Sequence, residues 1–254
     1  MIFSSAFFLF LFLPITYILY NICPNLKCKN FLLIIASLFF YAFGEPIYVF
    51  LMVGSILVNY FLAVLISNAS TKKRLFLILS IIFNIGLLVV FKYSALLIST
   101  VNDFTGFAIP VPDISLPIGI SFYTFQILSY CIDVYRNPSS VQKNIFNLTL
   151  YISFFPQLIA GPIVKYHDIE KQLANRITTI DGTASGIVRF IYGLSKKLLI
   201  SNTMALIVDT LYTTDINMAF TAWIVAICYC LQIYFDFSGY SDMAIGLGKI
   251  FGFT

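Results

Sequence analysis

Apolar residues run along this chain in blocks of membrane-spanning length, and short polar stretches separate them. The blocks cover residues 4–23, 30–43, 47–66, 75–91, 116–135, 145–163 and 219–234. About 20 apolar residues in helical conformation cross the hydrocarbon core of a bilayer, so most blocks predict a transmembrane helix, with 30–43 short for one. The breaks carry turn and loop chemistry: Lys27 and Lys29, then Gly44-Glu45-Pro46, then Thr71 to Arg74, and a polar stretch over 100–115 that holds Asn102, Asp103, Gly106, Pro110, Pro112 and Asp113. The pattern predicts an all-α fold, a polytopic transmembrane helical bundle, organised as a single membrane domain over residues 1–254. The first block lacks a basic leader and a small-residue cleavage site, and it is predicted to be a retained helix rather than a signal peptide.

Four segments depart from plain apolar periodicity. In 116–135, Gln126, Ser129/Tyr130 and Asp133 recur at helical spacing and draw a polar stripe along an apolar rod. Block 145–163 meets Pro156, Gly161 and Pro162, which predicts a broken or re-entrant segment, or else a kink between packed helices. Over 186–210, Arg189, Gly193, Lys196 and Lys197 line one face of an otherwise apolar helix. Such a helix is suited to the headgroup plane, with its cations on anionic lipid or on a phosphorylated donor. The fourth is the run from Gln232 to Phe253. There Gln232, Asp236, Gly239/Tyr240 and Met243 fall on one helical face, and Ser238 pairs with Asp242 on another. A carboxylate in hydrocarbon costs roughly 2.5–3.5 kcal/mol, so these groups are expected to point inward, into a polar packing seam or a cavity, with Gly239, Gly246 and Gly248 allowing close helix approach.

Composition agrees with the pattern. Sixty per cent of the 254 residues are hydrophobic and 10% charged, far from a soluble domain. The net charge of +4 is diffuse and gives no nucleic-acid footprint. Placing the basic loops at Lys27/Lys29 and Lys72 to Arg74 in the cytoplasm puts the amino terminus outside the cytoplasmic membrane. The five cysteines (Cys23, Cys28, Cys131, Cys228 and Cys230) read as packing residues, with Cys28 in a loop. With a single histidine, His167, in a charged stretch, no metal site is expected and that side chain reads as solvated. Nucleotide-binding, hydrolase and metalloprotease motifs are absent from the sequence.

Four runs occur in order: Leu116-Pro-Ile-Gly-Ile-Ser-Phe-Tyr-Thr-Phe125, Phe154-Phe-Pro-Gln-Leu-Ile-Ala-Gly-Pro162, Gly193-Leu-Ser-Lys-Lys197 and Tyr234-Phe-Asp-Phe-Ser-Gly-Tyr-Ser-Asp-Met-Ala-Ile-Gly-Leu-Gly248. With the opening Phe3-Ser-Ser5 and Leu11-Phe-Leu-Pro14, they resemble the membrane-bound O-acyltransferase family, in its bacterial alginate O-acetylation branch. The resemblance implies a helical enzyme around a central tunnel, with no bound cofactor. Its cosubstrate is an acyl donor, acetyl-CoA or another acyl thioester, used from the cytoplasmic side. Acetyl then passes to an extracytoplasmic polysaccharide, with an extracytoplasmic acetyltransferase as partner and membrane lipids around the bundle. The family's catalytic histidine belongs to a later membrane segment, beyond Thr254, and His167 does not match it. No catalytic residue is therefore carried over, and the chain alone is expected to be inactive. Carried over as tunnel lining are Gln157, Gly161, Pro162, Asp236, Ser238, Tyr240, Ser241 and Asp242. Two alternatives stand beside this reading: a transporter using Asp133, Asp236 and Asp242 as an ion path, for which inverted repeats are not found, and a non-catalytic remnant.

Overall fold

A computed structural model describes residues 1–69, 71–112, 114–158, 161, 164–213 and 218–253. All regular structure among these residues is helical. The α-helices are α1 (Leu13–Ile22), α2 (Leu26–Ala42), α3 (Tyr48–Asn68), α4 (Lys73–Leu88), α5 (Ser94–Thr105), α6 (Ile120–Arg136), α7 (Ile145–Ser153), α8 (Tyr166–Ala174), α9 (Ile180–Ser195), α10 (Asn202–Tyr212) and α11 (Ala219–Ile250). Among the described residues, three helical stretches are long and apolar enough to cross a membrane: Tyr48–Asn68, Lys73–Thr105 and Ala219–Ile250. Large apolar side chains such as Phe10, Phe50, Phe61 and Trp223 face outward, the reverse of a water-soluble domain and as expected where lipid is the solvent. The protein is a multi-pass membrane helical bundle.

The chain divides into two compact units. One comprises Asn30–Ile159 and Ile163–Leu173. In it α3, α4 and α6 surround a buried polar knot. Asn59 Oδ1 accepts from Ser80 Oγ at 2.8 Å and from Asn84 Nδ2 at 2.7 Å, while Asn59 Nδ2 donates to the Ser55 carbonyl at 2.9 Å. All three side chains are fully enclosed. Hydrocarbon offers no water to compete for these donors and acceptors, so such bonds fix how the helices meet. Gln126 of the predicted polar stripe also points inward, its Nε2 donating to the Tyr151 carbonyl at 2.9 Å. Tyr130 Oη accepts from the Gln142 amide at 3.0 Å, and one carboxylate oxygen of Asp133 is buried without a hydrogen-bond partner.

α7 ends at Ser153, and the chain leaves the helix at Phe154 into a buried turn that holds Phe155, Pro156 and Leu158. The Phe155 amide freed by this break donates to the Ser37 hydroxyl of α2 at 3.1 Å. Irregular backbone within a bundle needs such an internal partner, and this is the predicted broken segment.

Two expectations are corrected in detail. Lys27, Cys28 and Lys29 lie in the first turn of α2, not in a loop. The loop expected over 100–115 begins only at Gly106, whose φ of 71° closes α5 in the left-handed region. Thr100 and Thr105 satisfy their hydroxyls on that helix by donating back to the Leu96 and Val101 carbonyls at 2.7 and 2.6 Å, and Asn102 clasps both the amide and the carbonyl of Ile109. Pro14 lies inside the continuous helix Phe8–Ile22, just after a π-helical turn over Phe8–Phe12.

Candidate functional site

The second unit comprises Met1–Lys29, Ala160–Pro162 and Ala174–Thr254. Its centre is an antiparallel helical pair, in which α9, a π-helical segment Lys196–Ser201 and α10 run one way and α11 runs back. Two glycine contacts hold the pair together. A Cβ on Gly193 would lie 2.5 Å from the Gly239 carbonyl oxygen, and one on Gly246 would lie 2.6 Å from the Gly186 carbonyl oxygen. Both distances are impossible for a real Cβ, so only glycine fits. Gly248, expected to do the same, does not: a Cβ there meets only Phe253 at an ordinary 3.8 Å.

The predicted polar residues of α11 meet the predicted basic face of α9 across this contact. Asp242 Oδ1 accepts from Arg189 Nε at 3.1 Å and Nη2 at 3.0 Å, and its Oδ2 accepts from Lys196 Nζ at 2.5 Å. Lys196 Nζ also donates to Ser238 Oγ at 3.0 Å. Lys197 is paired with Asp236. Neighbouring residues on an α-helix diverge too far to share a face, but both lysines sit at the start of the π-helical segment. Its wider turn narrows the angle between them, and both reach α11. The cations assigned to a headgroup-facing surface are thus held by carboxylates of the same unit. Three cations meet two carboxylates, which leaves the cluster with one excess positive charge. Asp242 is the more enclosed acid, its side chain 19% exposed against 44% for Asp236.

The other expected lining residues are distributed differently. Tyr240 stacks on Phe3 with ring centroids 4.6 Å apart. Ser241 is half-buried on α11. Gln157 belongs to the other unit, where it is half-buried in the turn after α7. Gly161 is buried. Pro162 lies outside the described residues. His167 is on α8, 63% exposed, with its Nε2 2.8 Å from Asp168.

One node has no signal in helical periodicity. Tyr20 Oη donates to the Phe251 carbonyl at 2.8 Å, and Arg176 Nε reaches both that oxygen, at 3.1 Å, and Tyr20 Oη, at 3.2 Å. The guanidinium lies 4.3 Å from the centre of the Phe253 ring, and its two terminal nitrogens are buried with no hydrogen-bond partner. Burial pulls Arg176 below the ordinary arginine range, against the opposing pull of Tyr20. Beside it a recess of about 170 Å³ is lined by Thr179, Ser185, Lys249 and Phe253, among others. Ligand pockets run from roughly 300 Å³ upward, so it suits a small ion or waters rather than a whole cosubstrate.

The sequence profile of the membrane-bound O-acyltransferase family matches residues 139–254, the region that holds this helical pair. A protein named Probable alginate O-acetylase AlgI from Pseudomonas aeruginosa is 40% identical over 260 residues, covering 100% of this chain and 50% of that protein. Its namesake from Azotobacter vinelandii is 38% identical over 260 residues, covering 100% of this chain and 52% of that protein. A peptidoglycan O-acetyltransferase of Helicobacter pylori is 35% identical over 285 residues, covering 99% and 54%. The chain therefore spans about half the length of the curated relatives it matches. With residues from one end to the other aligned to these proteins, and with the family profile matching the stretch that holds α7 to α11, the chain belongs to the membrane-bound O-acyltransferase family.

Proposed function

We propose that this protein takes part in transferring an acyl group, acetyl in this branch, from an acyl thioester used on the cytoplasmic side to a hydroxyl of an extracytoplasmic polysaccharide. The observation that carries the reading is the α9–α11 cluster, Arg189, Lys196 and Lys197 on Asp236, Ser238 and Asp242, five of whose six residues fall in the runs Gly193–Lys197 and Tyr234–Gly248. Its excess positive charge suits a phosphate-bearing donor such as acetyl-CoA. Relatives named as alginate and peptidoglycan O-acetylating proteins support a glycan acceptor, and an extracytoplasmic acetyltransferase is the proposed partner. The general base is assigned outside residues 1–254, because His167 is solvated on α8 rather than enclosed in a dry cavity. Residues 1–254 alone are proposed to be inactive. The amino terminus is proposed to face outward from the cytoplasmic membrane, with Lys27 and Lys72 to Arg74 on the cytoplasmic side.

Expression of the complete reading frame in a strain that makes polysaccharide without O-acetyl esters tests this. Acetyl esters on the surface glycan, lost when only residues 1–254 are expressed, are the expected result. Esters formed by residues 1–254 alone would overturn the assignment of the base. Ion-gradient-dependent uptake without ester formation would favour the transporter alternative, against which Asp236 and Asp242 are already held by cations.

A further inference from the structure

The corner between α1 and α2 brings two thiols into contact. Cys23 caps the end of α1 in extended conformation, with φ −63° and ψ 122°, and Cys28 lies in the first turn of α2. Their Sγ atoms are 2.9 Å apart, both cysteines are free, and Cys28 is exposed to solution. Only residues 24–27, which include Pro24, separate them, so the ring that a bond would close is short and already bent. The corner is also anchored: Lys29 Nζ lies 4.8 Å from the centre of the Tyr20 ring, and the Tyr20 hydroxyl is tied to the Phe251 carbonyl and Arg176. The thiols are therefore held against each other by the fold and do not meet by chance. Cys131, by contrast, is buried in the other unit.

We propose that Cys23 and Cys28 form a reversible dithiol–disulfide site, oxidised by a hydroperoxide. In the first step one sulfur attacks the peroxide, the O–O bond breaks, and a sulfenic acid and an alcohol form. In the second, the other thiol attacks that sulfur, the S–O bond breaks, and the oxygen leaves as water. The two thiol protons end on the alcohol and the water, and two electrons pass from the sulfurs to the peroxide. The product clips α1 to α2 at the corner, and a dithiol reductant reverses it.

The test uses the complete protein in membranes, treated with hydrogen peroxide, alkylated with N-ethylmaleimide and digested with trypsin. Trypsin cuts after Lys27, between the two cysteines, so a disulfide leaves the dipeptide Cys28-Lys29 attached to the peptide ending at Lys27. The expected result is this linked species, with at least a fivefold loss of maleimide on both cysteines, and its disappearance after dithiothreitol. In C28S, a change at an exposed position, no linked species should form with or without peroxide, and any maleimide that Cys23 loses to peroxide should return after dithiothreitol. Full alkylation of Cys23 and Cys28 after peroxide, or their recovery only as sulfinic or sulfonic acids, would overturn the proposal.

Discussion

Asp242 and Asp236 look alike in sequence, two carboxylates six residues apart in one apolar helix, and the structure separates them. Asp242 takes three donor contacts from Arg189 and Lys196 and is largely enclosed, whereas Asp236 takes one from Lys197 and stays half open. Replacing Asp242 with alanine strands two cations, and hydrogen bonds to charged groups are worth about 1.5–3 kcal/mol, so D242A is expected to destabilise by roughly that amount. D236A removes one donor contact where D242A removes three, so it is expected to destabilise by less. Thermal unfolding of the detergent-solubilised variants measures both, and equal losses would contradict the asymmetry. The pairing of Ser238 with Asp242 on one face was legible in the spacing of α11. Their partners were not, since a helical period fixes which side chains share a face but says nothing of what lies opposite, here 42 to 53 residues earlier in the chain. Arg176 was less legible still: its contacts to Tyr20 and Phe251 join segments 156 and 75 residues distant and follow no local pattern.

At the scale of elements, glycines sort into two kinds that sequence alone does not distinguish. Gly193 and Gly246 face backbone at 2.5–2.7 Å, whereas Gly54 and Gly86 have nothing within 4 Å of a built Cβ. G193A and G246A are therefore expected to force α9 and α11 apart and to lower the thermal midpoint. G86A should be neutral or stabilising by up to about 1 kcal/mol, since alanine is the better helix former. A midpoint for G193A as high as that of G86A would show that the close approach is not needed. In the other unit, N59A removes the acceptor shared by Ser80 and Asn84. Interhelical hydrogen bonds in membrane proteins average about 0.6 kcal/mol and reach about 1.7, and N59A should fall at the upper end because several bonds go at once. A loss below 0.6 kcal/mol on that scale, in the same unfolding measurement, would show that the knot is not holding α3 to α4. Helix existence was largely legible here and helix ends were not. The polar residues at 100–103 resemble a loop in one dimension, yet the helix runs on to Thr105, with the hydroxyls of Thr100 and Thr105 finding acceptors on its own carbonyls.

At the scale of the whole molecule, the apolar blocks, the outward-facing Phe and Trp side chains and the family match agree on a multi-pass membrane protein. Orientation is open to direct measurement. Single cysteines introduced at Glu45 and at Lys73 should react with a membrane-impermeant maleimide from opposite sides, Glu45 from outside and Lys73 only after permeabilisation. The inverse pattern would reverse the proposed topology. The acid–base cluster was anticipated as scattered lining residues and emerged as a latch between two helices because Gly193 and Gly239 let the lysines come within reach. Those glycine contacts carry one more implication. Gly186 and Gly193 are seven residues apart, as are Gly239 and Gly246, so the pair is pegged at two points along its length. Sliding one helix by a single residue, a travel of about 1.5 Å, would drive a side chain into backbone at both pegs at once. Piston travel between α9 and α11 is thereby blocked, and whatever motion a reaction cycle demands of this hairpin must come as the swing of one stiff rod about its ends.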